Sequence, residues 1–296
     1  MKEKVVVSKT ILRYIFMGIR RNGVRMKTKM IFFDIDGTLC DVDGTINLKT
    51  MEAVRRVKEN GHKIFICTGR SKSEIYENVL QLQFDGIVGA AGAYVEIDNK
   101  IIFHRCMEKS ETSEIVDIFD KNAIKFILET NECGYTNASS KAYIENILRS
   151  SNKTTDIEEY LGILKIKEDL KSIKNVNKIL FYDSPCSIEA LREKFKFKYN
   201  IIGSAFELLD DNGGELSAID INKATGIDVV LNYFKAELND TIAIGDGNND
   251  LEMLQHVGLG IAMGNAVTQL KEVADYVTLD AKDDGIYHAL LKYGLI

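Results

Sequence analysis

From Met30 onward, short apolar runs alternate with segments whose apolar residues recur at helical spacing. The run MIFFDID, bounded by Gly37, is typical of a buried parallel strand. A helical pattern at 49–60, the strand-like run KIFICTGR, a helical pattern at 71–82 and the run DGIVGAAG follow in turn. This β-α-β-α-β order predicts a parallel sheet with right-handed crossovers.

The pattern changes in the middle of the chain. A predicted antiparallel hairpin turns at Asp98-Asn99, and the segments after it no longer alternate regularly between strand and helix. The elements expected there are helices near 111–121, 140–148 and 187–194, and strands near 124–130, 177–183 and 199–209. Such mixed α+β structure inside an α/β chain indicates a second domain.

Regular alternation returns after the Gly-Gly pair that ends at Gly214, with buried strands in TIAIGDG and LGIAMG. We therefore predict an α/β fold with a Rossmann-like parallel sheet core and an inserted α+β cap domain. The core would be discontinuous, formed by 30–87 and 214–296, and the cap would be 88–213.

The first 29 residues differ from the rest, because they carry nine Lys or Arg and one acid. Lys9 and Arg13 interrupt the apolar run in this segment, and no small-residue cleavage pattern follows it, which fits a secretory signal poorly. We expect 1–29 to be an extension outside the fold. A packed helix and a basic helix lying on a membrane surface are the alternatives.

Charge and cysteine content exclude several classes of protein. Residues 30–296 hold 29 basic and 43 acidic residues, and no basic face that would bind nucleic acid stands out. No apolar run approaches the roughly 20 residues of a membrane span. The five scattered cysteines include no CxxC pair, which indicates reduced thiols and a cytoplasmic location. The oligomeric state stays undetermined.

Four polar clusters lie after predicted parallel strands or at the start of a predicted helix. The first is the DIDGT segment. Residues two apart on a strand share a face, so Asp34 and Asp36 are expected to reach one site. Adjacent carboxylates repel unless a cation or a proton lies between them, which suits a divalent metal and a general acid. Gly37 permits a close turn. A plain turn with helix-capping aspartates is the alternative.

The second and third clusters offer groups that bind anions. In the TGR segment the hydroxyl of Thr68 and nearby backbone N–H groups would form a small oxyanion cradle, although Thr68 or Ser71 could simply cap a helix. Lys223 opens an amphipathic helix, where its charge opposes the helix dipole. A carboxylate or a phosphoryl group should therefore lie beside Lys223.

The fourth cluster is GDGNND at 245–250, directly after a buried strand. Asp246 and Asp250, with the amides between them, form a set of hard oxygen ligands suited to Mg²⁺. An EF-hand loop is excluded because Leu251 and Val257 stand where that loop needs Gly and Glu. The sequence also lacks a Walker A motif and a dinucleotide-binding GxGxxG after its first strand.

Together, DIDGT, TGR, the isolated Lys223 and GDGNND resemble the four motifs of the haloacid dehalogenase superfamily. The later segments VGLGIAMGNA, VADYVTLD and DDGIYHALLKYG resemble its Cof-like subfamily, which has the IIB type of cap. The resemblance covers nearly all of 30–296. It implies a Mg²⁺-dependent phosphatase of small phosphorylated metabolites, such as sugar phosphates or related phosphomonoesters, that forms an aspartyl phosphate.

The resemblance also implies a role for each motif residue. Asp34 would be the nucleophile, and Asp36 the general acid that protonates the leaving oxygen and then the base that activates water. Asp34, the backbone carbonyl of Asp36, and Asp246 would hold Mg²⁺, with Asp250 supporting them. The residues expected to bind the phosphoryl group are Thr68, Gly69, Lys223 and Asn249.

Two other functions stay open at this point. A phosphomutase would transfer the phosphoryl group to another position of a sugar rather than to water, and a regulatory protein would bind phosphate without turnover. The sequence departs from the family at Ala91-Gly92-Ala93, where many relatives have Asn-Gly-Ala. A polar contact at the junction with the cap is therefore expected to be absent.

Overall fold

The computed structural model describes residues 27–41, 44–150, 157–203 and 212–296. The predicted N-terminal extension therefore lies almost wholly outside the described residues. Residues 27–29 are an exception, because Lys27 and Lys29 both pair with Asp240 and the backbone of Lys29 bonds with His62 and Lys63. Lys29 thus belongs to the folded body, in contrast to the expectation for 1–29.

The described residues form two β-sheets with helices packed on them. In chain order the strands are β1 (Met30–Phe33), β2 (Lys63–Cys67), β3 (Gly86–Gly89), β4 (Tyr94–Ile97), β5 (Lys100–His104), β6 (Lys125–Glu129), β7 (Gly134–Thr136), β8 (Leu164–Ile166), β9 (Lys178–Tyr182), β10 (Tyr199–Gly203), β11 (Gly214–Ala218), β12 (Thr241–Gly245), β13 (Leu259–Ala262) and β14 (Tyr276–Val277). The α-helices are α1 (Leu48–Glu59), α2 (Glu77–Leu80), α3 (Lys109–Lys121), α4 (Ala138–Ser150), α5 (Ile157–Ile163), α6 (Ile188–Phe195), α7 (Lys223–Phe234), α8 (Leu251–His256), α9 (Thr268–Val273) and α10 (Gly285–Lys292). Among the described helices, none has the length and apolar character needed to cross a membrane.

The larger sheet has eight strands in the order β14-β13-β12-β1-β2-β3-β4-β5. The six strands from β14 to β3 are parallel, as the sequence predicts, whereas β4 pairs antiparallel with both β3 and β5. β1 and β12 are fully buried, so their apolar runs pack against helices on both faces of the sheet. The predicted α/β fold with a parallel sheet core is confirmed.

The smaller sheet has six strands in the order β10-β11-β9-β6-β7-β8, antiparallel except for the pair β7 and β8. One face packs on α3 and α6 through a core of its own that contains Phe119, Phe126 and Phe181. Part of the other face packs on α4 and α5 through Ile127, Ile144 and nearby residues. The sequence pattern did not predict α5 or the short strands β7 and β8.

Strand pairing differs from the predicted domain division at both boundaries. β4 and β5 extend the larger sheet as far as His104, although the cap is expected to begin at 88. β11 pairs with β9 and β10 in the smaller sheet, although the core is expected to resume at 214. The period of apolar residues identifies a strand but does not show which sheet it joins, because pairing depends on contacts distant in sequence.

The predicted helix at 71–82 is also wrong in detail. The structure has a 3₁₀ turn at Lys72–Glu74, then Ile75 and Tyr76 with extended dihedral angles, and then the single turn α2. Ser73 Oγ donates to the carbonyl of Thr130 in the loop after β6. Contacts with the smaller sheet therefore replace the regular helix that the pattern favours.

The order of the strands places a functional edge at β1. From β1 the chain moves to β2 on one side, and it later returns to β12 on the other side. At such a switch point the helices diverge, and open α/β sheets bind ligands in the resulting crevice at the carboxyl ends of the strands. Asp34 follows β1, Thr68 follows β2 and Asp246 follows β12, so three predicted site residues lie at this edge.

The segment after β3 is strained. Ala91 has φ 53° and ψ 33°, a left-handed conformation that an L-residue with a Cβ adopts at a cost. Gly92 follows with φ 101°, and a Cβ at this position would overlap the carbonyl oxygen of Asn222, just before α7. Close packing of this turn against the start of α7 therefore holds Ala91 in its unfavourable conformation.

Replacing Ala91 with Gly is expected to stabilise the protein by about 0.5–1 kcal/mol, because Gly adopts this conformation without strain. Ala93, which has φ −70° and is buried, is the matched control. Ala93→Gly should destabilise by about 1 kcal/mol, because it loosens the unfolded chain and removes a packed methyl group. Urea unfolding of both variants measures these changes. A destabilised Ala91→Gly would contradict the interpretation of strain.

Candidate active site

A buried ion-paired triad lies at the switch point. The ammonium of Lys223 donates to Asp34 Oδ1 and to Asp250 Oδ1, each at 2.6 Å. Lys223 is 1% exposed, Asp34 5% and Asp250 0%. Burial by itself lowers the pKa of Lys223, but the two carboxylates raise it well above its ordinary value. The lysine is therefore held charged between two acids from different parts of the chain, as the sequence predicts for a lysine at a helix N-terminus.

The start of α7 aims Lys223 into the sheet edge. Asn222 caps the helix, with its side-chain oxygen accepting from the N–H of Thr225 at 3.0 Å. Gly92 allows the turn after β3 to contact this cap, and Gly226 allows Val88 and Gly92 to approach the first turn of the helix. The Asn222 cap and the close contacts at the two glycines thus place Lys223, the first residue of α7, in the site.

Asp250 supports the loop after β12 with its second carboxylate oxygen. Oδ2 accepts from the N–H groups of Asp246 and Gly247, both at 3.0 Å, while Oδ1 accepts from Lys223. A Cβ at Gly245 would contact the same carboxylate at 2.5 Å, so glycine is required there for close approach. Because its two oxygens accept from these three donors, Asp250 holds the loop after β12 and the side chain of Lys223 in place.

Asp246 lies closer to the surface and is aligned by the DIDGT turn. Its Oδ1 accepts from the hydroxyl of Thr38 at 3.1 Å. Gly37 has φ 78°, and a Cβ there would overlap the Asp246 carboxylate. Asn265, after β13, donates to the carbonyl of Gly37 at 2.8 Å and lies 3.4 Å from Asp246 Oδ2. The turn and Asp246 are thus held together from two sides.

Asp34, Asp246 and Asp250 offer carboxylate oxygens that all lie within 4.8 Å of one another. Burial raises the pKa of Asp34 well above its ordinary value, and the neighbouring carboxylates raise it further against the opposing effect of Lys223. Burial and Asp250 likewise raise the pKa of Asp246 to about 7. Three carboxylates against one ammonium leave two negative charges unbalanced, which suits a divalent cation with oxygen ligands.

The predicted phosphate-binding residues lie along the same edge. Thr68 is buried directly after β2, and its Oγ accepts from the N–H of Arg70 at 3.2 Å. A Cβ at Gly69 would lie 3.1 Å from Asn249 Nδ2, so these two residues are neighbours. Ser71, rather than Thr68, occupies the cap position of the following turn. The TGR and GDGNND segments therefore meet across the site.

Asp36 has a different environment from Asp34. β1 ends at Phe33, so strand alternation does not extend to Asp36, and the expectation based on it does not apply. The Asp36 side chain is 52% exposed and accepts two hydrogen bonds of 2.7 Å from Arg70, through Nε and Nη2. Its charge still acts on Asp34 and Asp246, since it contributes to the raised pKa of each. Asp36 therefore lies at the mouth of the site.

Several residues that shape the site received no individual role from the sequence. They are Arg70, Thr38, Asn265 and Tyr76. Arg70 lies in the TGR motif, Thr38 lies in the DIDGT motif, and Asn265 follows a strand at the same sheet edge. Their positions in the sequence could therefore have indicated a role at the site. Tyr76 had no signal, because only the folded chain brings it to Arg70.

Clustered acids and a buried lysine lie at the switch point of a parallel α/β sheet. This arrangement is typical of enzymes that transfer phosphoryl groups, because that reaction depends on positioning and on neutralised charge. A sequence profile of the haloacid dehalogenase-like hydrolases matches residues 31–290. The chain therefore belongs to this family.

Relatives and solved structures agree with this assignment. YkrA of Bacillus subtilis, named for an expected phosphatase activity, is 31% identical over 278 residues, covering 92% of this chain and 100% of YkrA. YitU of Bacillus subtilis, a 5-amino-6-(5-phospho-D-ribitylamino)uracil phosphatase, is 28% identical over 285 residues, covering 90% and 99%. The structure of the subclass IIB sugar phosphatase BT4131 is similar with a TM-score of 0.69 and 29% identity, covering 91% and 100%. The protein is a phosphatase of phosphorylated substrates.

Lys223→Met is expected to destabilise the metal-free protein by about 3 kcal/mol, because it leaves two buried carboxylates without their shared cation. Thermal and urea unfolding in EDTA measure this loss, and excess Mg²⁺ should recover part of it. Lys49→Met is the control, since Lys49 pairs with Asp284 while 56% exposed and should contribute under about 1 kcal/mol. Equal stability of the two variants would show that the triad is not a structural centre.

Proposed function

We propose that this phosphatase hydrolyses small phosphorylated metabolites with Mg²⁺, through a transient aspartyl phosphate on Asp34. The observation that carries the proposal is the position of Asp34 at the switch point, 2.6 Å from the ammonium of Lys223 and beside the carboxylates of Asp246 and Asp250. Phosphoryl transfer depends mainly on in-line positioning and on neutralised charge. Here a buried carboxylate, a fixed lysine and a candidate cation site supply both.

The two aspartates of the DIDGT turn divide the chemistry. A carboxylate oxygen of Asp34 forms the new bond to phosphorus as the ester bond to the leaving oxygen breaks, and Asp36 gives a proton to that oxygen. Asp36 then takes a proton from the water that attacks phosphorus, and the bond between phosphorus and the Asp34 oxygen breaks, which releases inorganic phosphate and restores both aspartates. The contrast between buried Asp34 and half-exposed Asp36 supports this division, because environment sets the role of each carboxyl group.

The oxygen-rich cluster fits a magnesium ion. Asp34, Asp246 and the backbone carbonyl of Asp36 would hold it, and Asp250 would orient the loop through its bonds with Lys223 and two N–H groups. When bound, Mg²⁺ supplies charge neutralisation at the phosphoryl oxygens. Thr68, Gly69, Lys223 and Asn249 would contact the same oxygens.

We further propose that the smaller sheet belongs to a cap that selects the substrate, spanning the chain between β5 and α7. In the chain it lies between β5 and β12, which both belong to the larger sheet, and its Glu129 accepts from Ser71 in the segment after β2. Cap closure can exclude water and contact the rest of the substrate. The relatives named for a sugar phosphate and a phosphoribityl compound favour a phosphorylated sugar or sugar alcohol as the substrate.

All five cysteines are free thiols, which supports action in the cytoplasm.

Asp34→Asn is expected to abolish turnover, with a fall in kcat of at least about 10³-fold, because an amide is not a nucleophile toward phosphorus. Acid quenching during turnover of a ³²P-labelled substrate should trap label on the wild-type protein only. Asp228→Asn, on the exposed ion pair with His256, is the control and should keep full activity. Near-normal kcat in a deamidation-free Asp34→Asn sample would sink the aspartyl-phosphate mechanism.

Removal of the metal is expected to abolish activity reversibly. Excess EDTA should stop turnover, Mg²⁺ should restore it, and Ca²⁺ should inhibit because its larger, looser coordination disturbs in-line geometry. Asp246→Ala should raise the Mg²⁺ concentration needed for half-maximal rate by roughly tenfold or more, since a charged oxygen ligand is lost. Steady-state rates over a Mg²⁺ titration measure this, and robust turnover in EDTA would exclude the metal site.

A further inference from the structure

The side chain of Arg70 donates one hydrogen bond to each oxygen of Asp36. Nε donates to Oδ2 and Nη2 donates to Oδ1, each at 2.7 Å. A carboxyl group that delivers a proton to a leaving oxygen must point toward that oxygen, and this paired geometry fixes the plane of the carboxylate. The orientation of Asp36 is therefore set by whatever orients the guanidinium.

Tyr76 and one backbone carbonyl hold the other side of that guanidinium. Nη2 of Arg70, which binds Asp36, also donates to Tyr76 Oη at 2.5 Å, and Nη1 donates to the carbonyl of Glu74 at 2.8 Å. The guanidinium carbon also lies 4.1 Å from the centroid of the Tyr76 ring, within the range of a cation–π contact. Arg70 is thus held from the side opposite Asp36 as well as by Asp36 itself.

The tyrosine is itself fixed by its surroundings. Its carbonyl accepts from the N–H groups of Val79 and Leu80 at 3.1 Å, so its backbone is part of the start of α2. A Cβ at Gly44 would lie 3.5 Å from the ring, so the ring packs against the loop after the DIDGT turn. Asn78 donates to the carbonyl of Gly44 at 3.0 Å, which ties α2 to the same loop.

We propose that Tyr76 is a positioning residue for Asp36, acting through Arg70. The proposal rests on the assignment of Asp36 as the general acid. The hydroxyl and the ring of Tyr76 together keep the guanidinium in the plane that presents Asp36 to the leaving oxygen. Asp36 also acts as the base in the later hydrolysis of the phosphorylated enzyme, so the effect of Tyr76 on the acid is measured in the earlier step that expels the leaving group.

Leaving-group dependence isolates that step. An alkyl phosphate, such as a sugar phosphate, expels a strongly basic alkoxide and needs the proton from the acid. p-Nitrophenyl phosphate expels a weakly basic phenolate and needs it far less. Misalignment of Asp36 therefore slows alkyl phosphates selectively, whereas general damage to the site slows both substrates alike.

The experiment compares kcat/KM, which covers the steps up to departure of the leaving group, for a sugar phosphate that the wild-type enzyme hydrolyses and for p-nitrophenyl phosphate, in Tyr76→Phe and Tyr76→Leu. Tyr76→Leu should lower kcat/KM for the sugar phosphate roughly tenfold and kcat/KM for p-nitrophenyl phosphate less than about twofold. Tyr76→Phe, which keeps the ring and loses the hydroxyl, should lie between Tyr76→Leu and wild type. Tyr287→Phe is the matched control, since Tyr287 also contacts an arginine, Arg56 at 3.5 Å, but lies away from the site.

The outcomes separate this proposal from the proposed function. Unchanged ratios of alkyl to aryl rates in both Tyr76 variants, with Asp36→Asn still selective against the sugar phosphate, overturn the role of Tyr76 alone. An equal loss on both substrates assigns Tyr76 a structural role and also overturns it. If Asp36→Asn shows no selectivity, the general-acid assignment fails and this proposal fails with it. Circular dichroism and thermal unfolding verify folding, and Tyr76→Phe keeps the test informative if Tyr76→Leu unfolds.

Discussion

The buried ammonium of Lys223, shared by Asp34 and Asp250, is the interaction on which the rest of the site depends. A charge in this position is costly unless it is paired, so α7, the end of β1 and the loop after β12 must meet at fixed distances. Glycines at the contacts with α7 and with the Asp250 carboxylate make that approach sterically possible. The switch point of the sheet supplies the crevice, and the ion pairs determine which side chains line it.

The two sheets are joined by a second buried polar contact, close to the first. Ser71 Oγ donates to Glu129 of β6 at 3.0 Å and accepts from Asn177 Nδ2, before β9, at the same distance. Burial raises the pKa of Glu129 well above its ordinary value, and Lys178 partly offsets this effect. Because Ser71 directly follows Arg70, the smaller sheet is attached to the segment that holds Asp36. The proposed cap and the proposed general acid are therefore connected through one short stretch of chain.

Asp34 and Asp36 show how two residues of one motif acquire different environments. Asp34 is enclosed with a lysine and other acids, which suits a nucleophile whose charge must be controlled. Asp36 is half-exposed and paired with Arg70 at the mouth of the crevice, where a leaving group would depart. The difference comes from the turn that starts after Phe33, because continued strand geometry would have placed both carboxylates on one buried face.

The sequence by itself determined the parallel α/β core, the four clusters at its functional edge and the need for an anionic group beside Lys223. These depend on local period, strand order and the cost of an unpaired charge, which are all readable along the chain. The tertiary structure alone decided which sheet receives β4, β5 and β11, why 71–82 is not one helix, and that Arg70 reaches Asp36 and Tyr76 reaches Arg70. Those features depend on contacts between residues far apart in sequence or on side-chain geometry within a turn. Apolar periodicity carries no information about either.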